Sequence, residues 1–194
     1  PLFFQSVFAF QMGAGNHRLK AEHWGGPLQD VGVYCVNAAR HVFGEEPVEV
    51  TAVLHQPKDD PRFAEVEASI AATLRFPSGG IAQIIASFGA AAVDGYRVTG
   101  SQAEIELDPA FRFETATIMR LRKNGVIEET PFPQVDHFGG QVAYFSDCIN
   151  NGTPPEADGE EGLCDMRVLL AIADAAKSGR PVAINSSARP HHPS

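Results

Sequence analysis

The chain has 194 residues, a net charge of −9 and 44% hydrophobic residues, enough for one domain with a buried core and ordinary for a globular protein. The acidic balance and the scatter of its arginines argue against nucleic-acid binding, which needs clustered Lys and Arg. No apolar run reaches the roughly 18 residues of a membrane span. Cys35, Cys148 and Cys164 are an odd count with no CxxC spacing, so buried reduced thiols in a cytoplasmic setting are expected, and neither a disulfide framework nor a metal site is.

In chain order, residues 3–11 alternate and are Phe-rich, which predicts a strand; no basic region precedes Leu2 to Phe10, as a signal peptide would require. Residues 12–26 are Gly-rich and polar and read as a loop. Pro27 suits the first turn of a helix, which should run to Phe43 and stop at Gly44. From Val48 to Thr130 the period is two. Strands are predicted over Val48–Leu54, Glu65–Phe76, Gly80–Ala90, Tyr96–Gly100, Ala103–Leu107, Thr115–Arg122 and Val126–Thr130. Turn signals separate them, among them Asp94-Gly95, Gly100-Ser101, Asp108-Pro109 and the hairpin pair Asn124-Gly125. Strands joined so tightly must be antiparallel.

Two helices follow. Phe138, Val142, Phe145 and Ile149 recur at helical spacing before Asn150-Asn151-Gly152. Leu163, Met166, Leu170 and Ala173 make a stripe in the second, which Asp158 and Glu161 should open and Gly179 and Pro181 close. Pro181–Ile184 reads as a short last strand and residues 186–194 as a flexible tail. The fold class is therefore α+β: an open, mainly antiparallel sheet with helices on one face, occupying residues 1–185. Ile81, Ala82, Ile84, Ile85 and Ala86 put apolar or small side chains on both faces of one strand, so the uncovered face is expected to meet a second subunit, as a homodimer or higher homo-oligomer.

The chemistry concentrates in Trp24-Gly25-Gly26-Pro27-Leu28-Gln29-Asp30-Val31-Gly32-Val33-Tyr34. On a helix, Leu28, Val31, Cys35, Ala38 and Val42 form the core stripe. Asp30, Tyr34, Asn37 and His41 share another face, which makes a carboxylate and a phenol neighbours one turn apart. Gly25 and Gly26 would admit a ligand close to the backbone.

This segment resembles the signature of the glucose–fructose oxidoreductase, inositol dehydrogenase and MocA family. The resemblance continues through Phe43-Gly44-Glu45-Glu46-Pro47, Leu74-Arg75-Phe76-Pro77-Ser78-Gly79, Val98-Thr99-Gly100-Ser101-Gln102-Ala103, the run from Asp158 to Arg167, and Ala175-Ala176-Lys177-Ser178-Gly179-Arg180-Pro181-Val182. The elements come in family order over nearly the whole chain. The Tyr after Gly-x is similar to the branch with dihydrodiol and aldose dehydrogenases.

The resemblance implies the C-terminal, substrate and dimerisation domain of an NAD(P)-dependent oxidoreductase acting on a sugar, polyol or related cyclic carbinol. Tyr34 falls at the family's acid/base position and Asp30 at its partner carboxylate. Arg18, His17, Trp24 and Asn37 are candidate substrate contacts, with Asn16 beside them on the loop; Gly26 and Pro27 are the candidates for touching cofactor. The family's Glu-Lys-Pro lysine and Gly-rich Rossmann turn do not occur. That absence, with Pro1 in place of Met, leads to the expectation that NAD or NADP is bound mainly by an N-terminal Rossmann domain outside this chain. This chain is then expected to hold no cofactor and to be inactive alone. A non-catalytic dimerisation module and a sugar-binding module remain alternative readings.

Overall fold

A computed structural model describes residues 1–185; the tail predicted at 186–194 lies outside the described residues. Among the described residues, nine strands form one sheet in the order β8-β7-β6-β5-β1-β4-β3-β2-β9. They are β1 (Phe3–Ala9), β2 (Glu49–His55), β3 (Ser69–Arg75), β4 (Ile81–Ser87), β5 (Val93–Thr99), β6 (Ala103–Asp108), β7 (Thr117–Lys123), β8 (Val126–Phe132) and β9 (Val182–Ala183). The helices are α1 (Val33–Phe43), α2 (His137–Asn151) and α3 (Gly159–Ser178). Among the described residues, no helix is long and apolar enough to cross a membrane.

The predicted class is the observed one, with one departure in topology. β1 lies between β4 and β5, parallel to β4 and antiparallel to β5. Consecutive strands β4 and β5 are therefore not a hairpin, and residues 88–92 bridge the width of β1. Asp94-Gly95, predicted as a turn, lies inside β5. Glycine is needed there for closeness: a Cβ on Gly95 would stand 2.9 Å from the Leu107 carbonyl oxygen of β6. The Asn124-Gly125 hairpin forms as predicted, with both residues at positive φ.

The register separates the two faces. Val50, Leu74, Ala82, Phe4 and Val98 align across five strands on one face, as do Ala52, Ala72, Ile84, Ser6 and Tyr96. This face packs with Val36, Ala39, Val168 and Ile172 of α1 and α3 into one core. The other face is apolar in part, with Ile81 and Ile85 about half exposed beside Gln5 and Gln83. Towards β8 it becomes an ionic ladder of Arg97, Glu104, Glu106, Arg120, Arg122 and Glu129.

Helix ends follow the chain's own signals. Gly44, Gly152 and Gly179 cap α1, α2 and α3 in the left-handed region, and Asp158 accepts the Glu161 N–H at the start of α3. The stripe predicted for α3 is not the buried one. Leu163 and Leu170 are exposed, and Cys164, Val168, Ala171, Ile172 and Ala175 face the core. The buried face mixes Cys164, Ala171 and Ala175 with Val168, Leu169 and Ile172, while Met166 and Ala173 of the predicted stripe pack partly against the core. The α2 stripe of Phe138, Val142, Phe145 and Ile149 is also exposed, and Cys148 is the buried side chain of that helix.

Candidate functional site

The segment from residue 16 to Tyr34 folds as a staircase onto the sheet. Two 3₁₀ turns, His17–Leu19 and Ala21–His23, precede a π-helical turn, Leu28–Gly32, that runs straight into α1. The first predicted turns of the helix are thus π rather than α, a local geometry common at functional sites. Gly32 lets this turn press on the sheet: a Cβ there would lie 3.3 Å from that of Ala86.

The glycine pair is used internally. A Cβ on Gly25 would fall 2.4 Å from the Arg18 carbonyl oxygen, and one on Gly26 would fall 2.9 Å from both Gln29 Oε1 and Glu67 Oε1. Gly26 is at φ +119° and buried, as is Pro27. The space around Gly25 and Gly26 is filled by the chain itself, and the candidate cofactor contacts Gly26 and Pro27 are both buried.

Tyr34 and Asp30 come out differently from one another. Tyr34, in the first turn of α1, is 50% exposed. Its ring meets Phe8 edge-on at 5.7 Å and Phe111 at 6.1 Å. Asp30 instead takes Arg18, whose Nε donates to Oδ1 at 2.7 Å. Among the described residues no hydrogen bond joins Asp30 to Tyr34, although they share a helix face. The Arg18 pair ties the 3₁₀ turn to the π turn, and Lys20 with Glu65 (2.7 Å) ties it to the segment before β3.

The remaining candidates separate in the same way. Trp24 is exposed at φ +52°, closing the second 3₁₀ turn through its N–H to the Ala21 carbonyl. His17 is exposed, with its ring 6.3 Å from that of His23, and Asn16 caps the first turn by accepting the Arg18 N–H. Asn37 is engaged in structure: its Nδ2 donates to Glu161 and Asp165 of α3. These carboxylates surround Arg40, which is fully buried and also paired with Glu46.

Several residues around Tyr34 carried no signal that singled them out. Phe8, Phe10, Phe111, Tyr96 and Phe4 form an aromatic chain behind it, with Phe8 stacked on Phe111 at 5.4 Å. Only the Phe-rich alternation of β1 hinted at it. Glu67 lies against Gly26 just before the π turn, and burial pushes its carboxyl up. Cys35, next to Tyr34 in sequence, points into the core, where burial pushes its thiol up to about 12 and makes it inert near neutrality. Cys35, Cys148 and Cys164 are all free and buried. The site therefore offers one exposed phenol on an aromatic backing, beside a loop held by two ion pairs.

Comparison with known proteins agrees with this architecture. A family model described as the GFO/IDH/MocA C-terminal domain matches residues 1–106. D-xylose 1-dehydrogenase (NADP(+)) 2 of Haloferax volcanii is 29% identical over 184 residues, 93% of this chain and 55% of the relative. A D-xylose 1-dehydrogenase [NADP(+)] of Haloarcula marismortui is also 29% identical, over 87% of this chain and 47% of its own length. Among solved structures, an aldose-aldose oxidoreductase from Caulobacter crescentus, complexed with glycerol, is 38% identical with a TM-score of 0.88. It is matched over 94% of this chain and 55% of its own. The chain thus spans about half the length of the relatives it matches.

Proposed function

Because the chain belongs to the GFO/IDH/MocA family through its C-terminal domain, we propose that it is the substrate-side part of an NAD(P)-dependent oxidoreductase acting on a sugar or related cyclic carbinol. The observation that carries this is Tyr34. The phenol that the sequence resemblance assigns to acid/base work is half-exposed, with two rings behind it. The xylose dehydrogenases and the aldose-aldose oxidoreductase named above support the sugar class.

In this reading Tyr34 Oη exchanges a proton with the substrate hydroxyl as carbinol and carbonyl interconvert. A free phenol titrates at about 10 and is a weak base near neutrality. The reading therefore calls for a cation opposite the hydroxyl, contributed from outside this chain. Asp30 acts through Arg18, holding the loop that carries His17 and Trp24 against the helix. Trp24 offers an apolar face for a sugar ring. Asn37 and Arg40 hold α1 to α3. The dinucleotide is assigned to a separate domain, since the Gly-rich strand–helix turn does not occur in this chain and the candidate contacts Gly26 and Pro27 are buried. The partly apolar sheet face between β1 and β2 is assigned to a second copy of the chain.

Tyr34→Phe in the full-length enzyme tests the reading. The ring stays and the proton carrier goes, so turnover should fall about 10²–10⁴-fold. Turnover at the wild-type level would remove Tyr34 from the mechanism.

A further inference from the structure

We propose that Asp94 and Phe111 are positioning residues for Tyr34, Asp94 by fixing the loop after β6 and Phe111 by forming the wall against which the phenol is set. The inference rests on reading Tyr34 as the acid/base.

Asp94 is the cross-strand partner of Phe8, on the helix-covered face of β5, and its side chain is fully buried. A carboxylate withdrawn from water needs strong partners. Here Oδ1 accepts two consecutive backbone amides, Ala110 N–H at 2.6 Å and Phe111 N–H at 2.7 Å. Arg112 Nε lies 3.0 Å from Oδ2, an ion-pair distance without hydrogen-bond geometry. One side chain therefore holds three successive residues of a segment with no regular secondary structure.

The segment is held where it matters for Tyr34. The Phe111 ring lies 5.4 Å from Phe8, 5.9 Å from Tyr96 and 6.1 Å from Tyr34. Of the two rings that touch Tyr34, Phe111 is held by Asp94 through the strapped loop, and Phe8 by the pairing of β1 with β4 and β5. A tyrosine half in water on a first helical turn has several rotamers open to it. With walls at 73° and 52° to its plane it is confined, and the hydroxyl is aimed before substrate arrives. Misplacing a proton carrier by about 1 Å costs on the order of 10²-fold in rate.

The test compares Asp94→Ala, Asp94→Asn, Phe111→Leu and Phe111→Tyr in the full-length enzyme, with Tyr34→Phe as reference. It reads kcat and KM, and the Tyr34 ¹³Cζ resonance in tyrosine-labelled protein. Asp94→Ala and Phe111→Leu should lower kcat about 10–100-fold with KM within about twofold, and should shift or broaden the Tyr34 resonance. Asp94→Asn keeps the accepting oxygen and Phe111→Tyr keeps the ring, so both should stay within a few-fold of wild type. If Asp94→Ala fails to fold, Phe111→Leu, a milder change in a partly exposed loop, decides alone. A kcat for Phe111→Leu within about twofold of wild type, with Tyr34→Phe still inactive, overturns the positioning role and leaves the acid/base reading standing. A fall in kcat with the Tyr34 resonance unmoved also overturns it. Full turnover by Tyr34→Phe removes both.

Discussion

Asn37 donates through its side-chain amide to two carboxylates of α3. It shares a face with Tyr34, as its position predicts, yet its amide is drawn to Glu161 and Asp165, more than 120 residues away in sequence. The attraction is electrostatic. Arg40 is buried with three carboxylates, Glu46, Glu161 and Asp165, so the cluster carries more negative than positive charge and recruits a further donor. Burial pushes the Asp165 carboxyl up, against the opposing pull of Arg40 and Asn37. The folded state therefore holds the Asp165 proton more tightly than the unfolded state does. That contribution to stability is present below the ordinary aspartate range and is lost as pH rises through the raised folded value. Asp165→Asn removes this dependence, so its urea midpoint should gain on that of wild type as pH rises above the ordinary aspartate range. Parallel midpoints for the two proteins above that range would show that Asp165 titrates alike in both states.

At the level of elements, what is local was legible in the sequence and what is non-local was not. The caps of α1, α2 and α3 and the Asn124-Gly125 hairpin depend on one or two residues and formed where those residues stand. The insertion of β1 between β4 and β5 depends on pairing partners more than 75 residues apart, for which no turn signal exists. Asp94-Gly95 misled because the same dipeptide serves a turn and a close strand approach; only the Leu107 carbonyl beside Gly95 decides between them. In α3 apolar residues occur nearly all round the helix, so period alone does not say that Val168, Leu169 and Ile172 are buried while Leu163 and Leu170 are exposed. The site was legible to the same degree. Tyr34 could be found from its motif, but Phe111 and Asp94 could not, since the contact between them spans two strands and a loop. The pairing of Asp30 with Arg18 rather than with Tyr34 required the 3₁₀ and π turns, which have no apolar periodicity to reveal them.

The molecule as a whole has two sides with different assignments. One sheet face is filled by α1 and α3 and supports the Tyr34 site. The other is open, with Ile81 and Ile85 flanked by Gln5 and Gln83 and then by the ionic ladder. If a second copy covers it, Ile85→Arg in the full-length protein should turn a dimer into a monomer by light scattering, and an unchanged mass would count against that assignment. The larger division of labour, with substrate handled here and dinucleotide in another domain, is tested most directly by titrating this 194-residue chain with NADPH and NADH while following nicotinamide fluorescence. The expected result is no saturable change with either. Saturable binding would contradict the division, because it would mean that this chain holds the dinucleotide without the Gly-rich strand–helix turn.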